Sequence, residues 1–408
     1  MPASAPAPSR SPASRRSALT VAVTLTVAHL ANDAYVAFLH PLLPRLMDKL
    51  GLSIAAAAVL SVILSLASSL PQPVMGYLAD RVGRRWLVAL GPIVSGIFLS
   101  LIGLAPSFGV LVALLTLGGL GSAFFHPPAV SLAGRVSEGK GSGLRVSIFS
   151  FGGHLGFAIG PITAVAIVGV FTLEGLWVAM FPGILIGLAT LAFLPRPVRG
   201  RVPVPPPSPR QVLRALGGPL GLVFGISALG AFVQRTLLTL YPIVVDQAGG
   251  SEALGAASLS VYLALQAGGT IFAGLLTDRI DRTRLLAGIC MLAAPAHFLA
   301  VYLPPGGVGA FMALGFAGLL NMAVLPPTVV IAQEILPTGA SIGSGIVMGL
   351  AWGAGALGVG FVGALGDVVG PQQAALVVMP MFLVGAVLAL HPALRPHARS
   401  GTSAASRR

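Results

Sequence analysis

The first long apolar stretch carries polar side chains spaced for one face of a helix. His29, Asn32 and Asp33 stand at relative positions i, i+3 and i+4, which places them side by side on a helix surface. A carboxylate in such a place can exchange a proton as its surroundings change between wet and dry, because loss of water favours its neutral form. Asp33 is therefore the candidate proton-coupling residue, and a permanently paired structural ion is the alternative.

Other polar residues interrupt later apolar stretches. Arg235 stays charged and needs an acid, backbone carbonyls or an anionic substrate as its partner. We predict that it pairs with Asp33 in one state and with an anionic substrate in another. His126 precedes two prolines that kink its helix, so a structural hydrogen bond explains it as well as a substrate contact does. The candidate substrate-binding residues are His29, Asn32, Asp33, His126, His154, Arg235 and Asn321.

The elements that hold these residues are predicted to be membrane helices. Hydrophobic residues make up 55% of the 408 residues and charged residues only 9%, whereas soluble domains carry about 25% charged residues. The mean hydropathy is +0.93. Twelve apolar stretches are long enough to span a bilayer, at 19–44, 53–78, 86–105, 109–134, 144–169, 173–194, 216–243, 253–277, 285–303, 307–334, 340–365 and 371–391.

A loop that occurs twice divides these stretches into two sets of six. The segment 76–85 holds a glycine, an acid and a basic cluster, and a second copy follows 198 residues later at 274–284. Pro44 and Pro242 differ by the same offset. We therefore expect an all-α integral membrane protein with two six-helix pseudo-symmetric bundles and a central substrate site. The candidate gating-loop residues are Gly76, Asp80, Arg81, Gly83, Arg84, Asp278 and Arg279; Asp281 replaces the glycine in the second copy.

The basic residues predict the orientation. With the N-terminus in the cytoplasm, all of the 24 Lys and Arg residues except Arg45, Lys49 and Arg235 lie on the cytoplasmic side, as the positive-inside rule requires. The net charge of +13 then reflects topology and contact with lipid headgroups, and we expect no nucleic-acid partner. The predicted parts are a disordered tail (1–17), a bundle (18–194), a cytoplasmic Pro/Arg-rich linker (195–214), a second bundle (215–392) and a second cytoplasmic tail (393–408).

No pattern for covalent chemistry stands in the sequence. We find no phosphate-binding loop, nucleophile elbow or Cys/His cluster, and Cys290 is the single cysteine. We therefore expect no enzyme activity, no cofactor and no metal. The expected partners are a small-molecule substrate, protons and the lipid bilayer, with the protein as a monomer. Three functions fit these partners: an antiporter that exports a small molecule, an uptake symporter or facilitator for a metabolite, and a non-transporting membrane sensor.

The repeated loop resembles the signature loop of the major facilitator superfamily. The segments 29–33 with 41–44, 66–73, 119–127 and 147–154 resemble the fosmidomycin-resistance family within it. This resemblance implies the major facilitator fold, a multi-pass protein of the inner (plasma) membrane, and proton-driven antiport that exports drugs such as fosmidomycin-like compounds and so gives antibiotic resistance. The chain departs from the family pattern at Pro128, Ser131 and His154, where the family commonly has Glu, Arg and Asn.

The charge asymmetry gives a testable topology. In a variant with Cys290→Ser, a cysteine introduced in the linker 195–214 should be shielded from an impermeant thiol reagent added to whole cells. Leu52→Cys, in a loop on the opposite face, is the control and should be labelled. Labelling of the linker from outside would overturn the orientation.

Overall fold

The computed structural model describes residues 12–136, 142–194, 209–336 and 340–397, and the described backbone is helical throughout apart from turns and short connections. Twelve helical segments in these ranges are long and apolar enough to cross a membrane, which confirms the predicted fold class. We number them spans 1 to 12 in chain order: Leu19–Leu50, Ile54–Ala79, Arg84–Leu104, Phe108–Ala133, Ile148–Phe171, Glu174–Phe193, Pro219–Gln247, Glu252–Thr277, Arg282–Tyr302, Val308–Ile335, Gly343–Val369 and Pro371–Ala389.

Several spans are broken helices, mostly near prolines, which remove a backbone donor and disfavour helix in the preceding residue. Span 1 consists of helix Pro12–Val36, a 3-10 turn His40–Leu42 and helix Leu43–Leu50. Further breaks divide span 2 (Ile54–Ser69 and Gln72–Val82), span 10 (Val308–Ala323 and Leu325–Ile335) and span 12 (Pro371–Val378 and Met381–Ala389). The break in span 1 lies just beyond the turn that carries Asp33, so Asp33 and the end of this span lie on different helices.

The structure describes only parts of the predicted tails and of the predicted linker. The first helix begins at Pro12, inside the tail that the sequence predicts to be disordered, and residues 1–11 lie outside the described part. Most of the predicted linker, residues 195–208, also lies outside it, while its last residues begin the short helix Pro209–Leu216. The second tail is described as far as His397.

The first six spans and the last six pack against each other mainly through two helix pairs. Span 2 packs on span 11 and span 5 packs on span 8. At Gly363 in span 11, an added Cβ would lie 2.3 Å from the Cβ of Ala58 in span 2. A glycine is needed there because only hydrogen allows the two backbones to approach so closely.

Polar contacts close the same end of this interface. Nε of Arg45 donates to Oε2 of Glu252 at 2.8 Å. Asp367, at the end of span 11, accepts hydrogen bonds from the backbone N–H groups of Ile54 (2.7 Å) and Ala55 (3.1 Å). The carboxylate thus caps the first turn of span 2 across the interface, where the helix dipole also favours a negative charge. We call this end, with Arg45, Ile54, Glu252 and Asp367, the closed end.

The cap supplied by Asp367 should hold the two halves together at the closed end. Loss of a helix cap costs about 1 kcal/mol, so Asp367→Ala should favour separation of the halves there about fivefold. Spin labels at Leu52 and Val308, in purified protein, should report a larger fraction of long distances in this variant. Asp246→Ala removes an exposed acid at the end of span 7 and is the matched control; identical distance distributions in the two variants would contradict the role of the cap.

Candidate functional site

Asp33 lies between two histidines in the interior of the first half. Its Oδ2 is 3.2 Å from Nε2 of His29, and its Oδ1 is 3.3 Å from Nε2 of His126. The side chain of Asp33 is 3% exposed, whereas that of His126 is 25% exposed. Asn32 donates from Nδ2 to Oδ1 of Asp33 at 3.0 Å. We call His29, Asp33 and His126 the carboxylate–histidine cluster, and His126 is its most accessible member.

The opposite nitrogen of each imidazole is fixed by a backbone carbonyl. Nδ1 of His29 lies 2.9 Å from the carbonyl oxygen of Phe149, and Nδ1 of His126 lies 2.9 Å from that of Ser122. A carbonyl oxygen can only accept, so each Nδ1 must carry the hydrogen. If both rings are neutral, each Nε2 is then an acceptor that faces a carboxylate oxygen, which is also an acceptor. One added proton satisfies one of these two contacts, and a second satisfies both.

Neighbouring spans fix the position of the cluster. Span 5 contributes Phe149, whose ring stacks on His29 at 4.4 Å between centroids. In the same span, a Cβ at Gly153 would lie 2.4 Å from Nε2 of His29 and 2.8 Å from Oδ2 of Asp33. Span 3 contributes Ser95, whose Oγ lies 3.3 Å from Oδ1 of Asn32 and 3.0 Å from the carbonyl oxygen of Gly118. Four spans, 1, 3, 4 and 5, therefore meet at this one site.

Two imidazoles and a carboxylate are also groups that bind divalent metals. The ligand atoms of the cluster lie within 4.8 Å of one another. Each imidazole contacts a different oxygen of Asp33, however, so the carboxylate bridges the two rings instead of joining them around one centre. Each of the two ring–carboxylate contacts has the length of a hydrogen bond or close ion pair, 3.2 and 3.3 Å.

The structure brings His29, Asn32, Asp33 and His126 together, but it does not add the other predicted substrate-binding residues to them. His154 hydrogen-bonds through Nδ1 to the carbonyl oxygen of Ser150, one turn earlier in its own helix.

Asn321 lies in the second half. It accepts from Gln266 at 3.4 Å and donates to the carbonyl oxygen of Gly230 at 3.0 Å. Gln234 donates to Gln266 in turn, at 3.3 Å, so Asn321 ends a chain of neutral amides.

Arg235 makes no ion pair with Asp33 in this conformation. The carboxylate of Asp33 is instead occupied by His29, His126 and Asn32. The pairing of Asp33 with Arg235 is not formed in the conformation described, because two histidines of the same half lie closer to the carboxylate than the arginine does. Since it was predicted for one state of the transport cycle, it stays a prediction.

The two copies of the repeated loop differ in structure as they do in sequence. In the first copy, Gly83 has a positive φ of 108° between two helices, and the guanidinium of Arg81 lies 4.5 Å from the ring centroid of Tyr77. Gly76 packs against span 4, where an added Cβ would lie 3.4 Å from Pro127. Arg84 begins the helix of span 3. The side chain of Asp80 lies outside the described residues.

In the second copy, Asp278 and Arg279 are exposed, and the residue that departs from the first copy has a local role. Asp281 caps the helix of span 9, accepting from the backbone N–H groups of Thr283 (3.1 Å) and Arg284 (3.0 Å). Arg282 pairs with Glu334 at 2.6 Å. Both residues belong to the second half, so this ion pair does not join the halves.

Sequence reasoning missed three residues that the structure singles out. Ser95 hydrogen-bonds near the cluster, Asp367 caps span 2, and His40 lies buried in the 3-10 turn of span 1. His40 gave a signal, as a histidine in an apolar stretch, but Ser95 and Asp367 gave none, because serines are common in membrane helices and an acid near a helix end is ordinarily solvated.

Comparison with known proteins identifies the family. The family model described as Major Facilitator Superfamily matches residues 25–355. The chain belongs to the major facilitator superfamily.

Two relatives and one solved structure refine this assignment. This superfamily member is 27% identical to the fosmidomycin resistance protein of Escherichia coli (strain K12), over 86% of this chain and 87% of that one. It is 28% identical to the uncharacterized MFS-type transporter YfnC of Bacillus subtilis (strain 168), over 90% and 92% of the two chains. The crystal structure of a bacterial homologue of the human lysosomal transporter Spinster, inward-facing and unoccupied, matches with a TM-score of 0.78 at 18% identity, over 97% of this chain and 100% of that one.

These matches confirm the resemblance and the fold that the sequence predicts. They make the chain a multi-pass membrane protein with a transporter fold, for which a small-molecule substrate is expected. Polar residues are costly inside a membrane. In a membrane protein with a transporter fold, the polar residues of the spans are therefore candidates for function.

The close approach of span 5 to the cluster gives a prediction about Gly153. Gly153→Ala should displace His29 and Asp33, because the new methyl group would overlap both side chains, and such overpacking costs about 1–3 kcal/mol. Gly169→Ala, in the same span but with no atom within 4 Å of the added Cβ, is the control. We expect Gly153→Ala to lower the apparent Tm of the purified protein by several degrees and to impair transport, with Gly169→Ala close to wild type. Equal stability and transport of the two variants would contradict the packing described here.

Proposed function

We propose that this transporter exports small-molecule drugs, such as fosmidomycin-like compounds, in exchange for protons, by alternating access. The relationship to the fosmidomycin resistance protein of Escherichia coli supports the substrate class, at 27% identity over most of both chains. The carboxylate–histidine cluster supports the coupling to protons and is the observation that carries the proposal. The two halves then expose a central site to each side of the membrane in turn.

The cluster suits a proton carrier because its hydrogen bonds require added protons. With Nδ1 of His29 and of His126 donating to backbone carbonyls, one proton between Asp33 and a ring satisfies one of the two contacts, and two protons satisfy both. Loss of those protons leaves a buried carboxylate facing two acceptors, which is unfavourable in an apolar interior. His126, being partly exposed, is the route by which protons enter and leave.

The remaining predicted roles fit the same scheme. We assign the first loop copy, with Gly76, Asp80, Arg81, Gly83 and Arg84, to control of closure at the cytoplasmic side, opposite the closed end. Asp278 and Arg279 occupy the corresponding place in the second half. Both termini lie in the cytoplasm and the protein works as a monomer in the inner membrane. Asn321, His154 and Arg235 contribute to the substrate path.

Removal of the shared carboxylate should uncouple transport from the proton gradient. Asp33→Asn should abolish proton-driven accumulation of fosmidomycin in inside-out vesicles, while exchange of labelled for unlabelled fosmidomycin continues, since the amide keeps the shape but cannot bind and release a proton. His126→Gln should slow the proton-driven rate at least tenfold.

His391→Gln changes an exposed histidine beyond span 12 and is the control, with wild-type rates expected. Uphill transport by Asp33→Asn would place the proton site elsewhere. Substrate movement with the proton gradient, rather than against it, in wild-type vesicles would replace antiport by symport.

A further inference from the structure

Arg235 and His40 line a small cavity at the boundary between the two halves. Ala37, His40, Phe157 and Pro161 approach it from the first half, and Arg235, Leu238, Leu259 and Leu263 from the second. All of these residues except Arg235 and His40 are apolar. The cavity lies between the carboxylate–histidine cluster and the closed end, because along span 1 His40 follows Asp33 and precedes Arg45.

The two polar side chains at this cavity have buried nitrogens without hydrogen-bond partners. Nε of Arg235 and Nε2 of His40 are both buried and unpaired, and His40 is 4% exposed. The ion pairs in the described ranges do not include Arg235, and no carboxylate lines the cavity. Arg235 as a whole is half-buried. Its guanidinium stays charged, so a buried Nε without a counter-charge is unfavourable.

We propose that Arg235 and His40 form an oxyanion site, which holds a carboxylate or phosphonate head group of the transported compound. This inference rests on the proposed transport function and assigns the substrate class. The planar guanidinium binds two oxygens of such a group side by side, and Nε2 of His40 supplies a further donor when it carries a hydrogen. The apolar walls from Phe157 and Leu263 suit the organic part of the compound.

The position of the site links anion binding to the conformation of the protein. An anion held by His40 of the first half and Arg235 of the second bridges the halves next to the closed end. In this conformation the cavity has room for only about one water molecule, so the halves must move apart there to hold the head group. Because a ligand favours the conformation that binds it more tightly, the bound anion stabilises a wider arrangement at this boundary than the one described.

The oxyanion site is separate from the proton site. His40 follows Asp33 by seven residues and lies beyond the helix end at Val36, in the 3-10 turn, and Arg235 belongs to the other half. The anion therefore does not displace a proton from Asp33 by direct contact. Span 1 carries both Asp33 and His40, so its movement relative to span 7 is what couples them.

Binding of a small oxyanion to the purified full-length protein tests this site. The probes are methylphosphonate and its neutral dimethyl ester, measured by the shift in Tm at fixed pH and ionic strength with no proton gradient. We expect methylphosphonate to raise the Tm of the wild type and the ester to leave it unchanged. Arg235→Gln should weaken methylphosphonate binding at least tenfold, Arg235→Lys should weaken it less, and His40→Leu should weaken it more than His40→Gln, which keeps a donor.

Arg284→Gln removes the same charge from an exposed position at the end of the second loop copy and should bind methylphosphonate as the wild type does. If Arg235→Gln does not fold, Arg235→Lys and the two His40 variants carry the test. Absence of methylphosphonate binding in the wild type, or equal binding by the Arg235 and His40 variants and the wild type, would overturn the oxyanion site. Anion binding that persists in a protein without proton-coupled transport would overturn the proton-exchange proposal and leave this site standing.

Discussion

A carboxylate inside a membrane protein must find its partners within the protein, and Asp33 finds them in two imidazoles. Span 1 supplies His29, span 4 supplies His126, and both are turned toward the acid by carbonyl groups that hold their far nitrogens. The buried position of Asp33 makes each of these hydrogen bonds strong and each missing proton costly. The packing of spans 1, 3, 4 and 5 around this point is therefore also a constraint on where protons can reside.

The two halves share a framework but differ in the chemistry of their interiors. The first half places ionisable groups on spans 1 and 4. The second half has a chain of neutral amides, Gln234, Gln266 and Asn321, on spans 7, 8 and 10. Neutral amides can hydrogen-bond to a ligand or to each other without any exchange of protons. In the proposed function, the first half handles the protons, while Arg235 and the amides of the second half face the substrate.

Span 1 connects the functional regions because it is not one continuous helix. Asp33 lies in its first helix, His40 in the 3-10 turn, and Arg45 in the short helix that pairs with Glu252 at the closed end. A helix with a break can change the angle between its parts at little cost, since the backbone hydrogen bonds at the break are already rearranged. In the proposed cycle, protonation at Asp33, contact at His40 and closure at Arg45 would therefore act on neighbouring parts of a single element.

The sequence by itself determined the class of the protein, the number of spans and the division into halves. These depend on composition, stretch length and a repeat, which are local or periodic properties of the chain. It also predicted His29, Asn32 and Asp33 as one group, because their spacing fixes a shared helix face. Only the tertiary structure decided that His126 completes this group and that Arg235 does not. It likewise revealed His40 beside Arg235, and Asp367 at the start of span 2. The contacts of His126, Arg235 and Asp367 depend on how helices far apart in the chain are rotated and shifted against each other. That register is set by many small packing contacts, such as those of Gly153 and Gly363, and no short stretch of sequence encodes it.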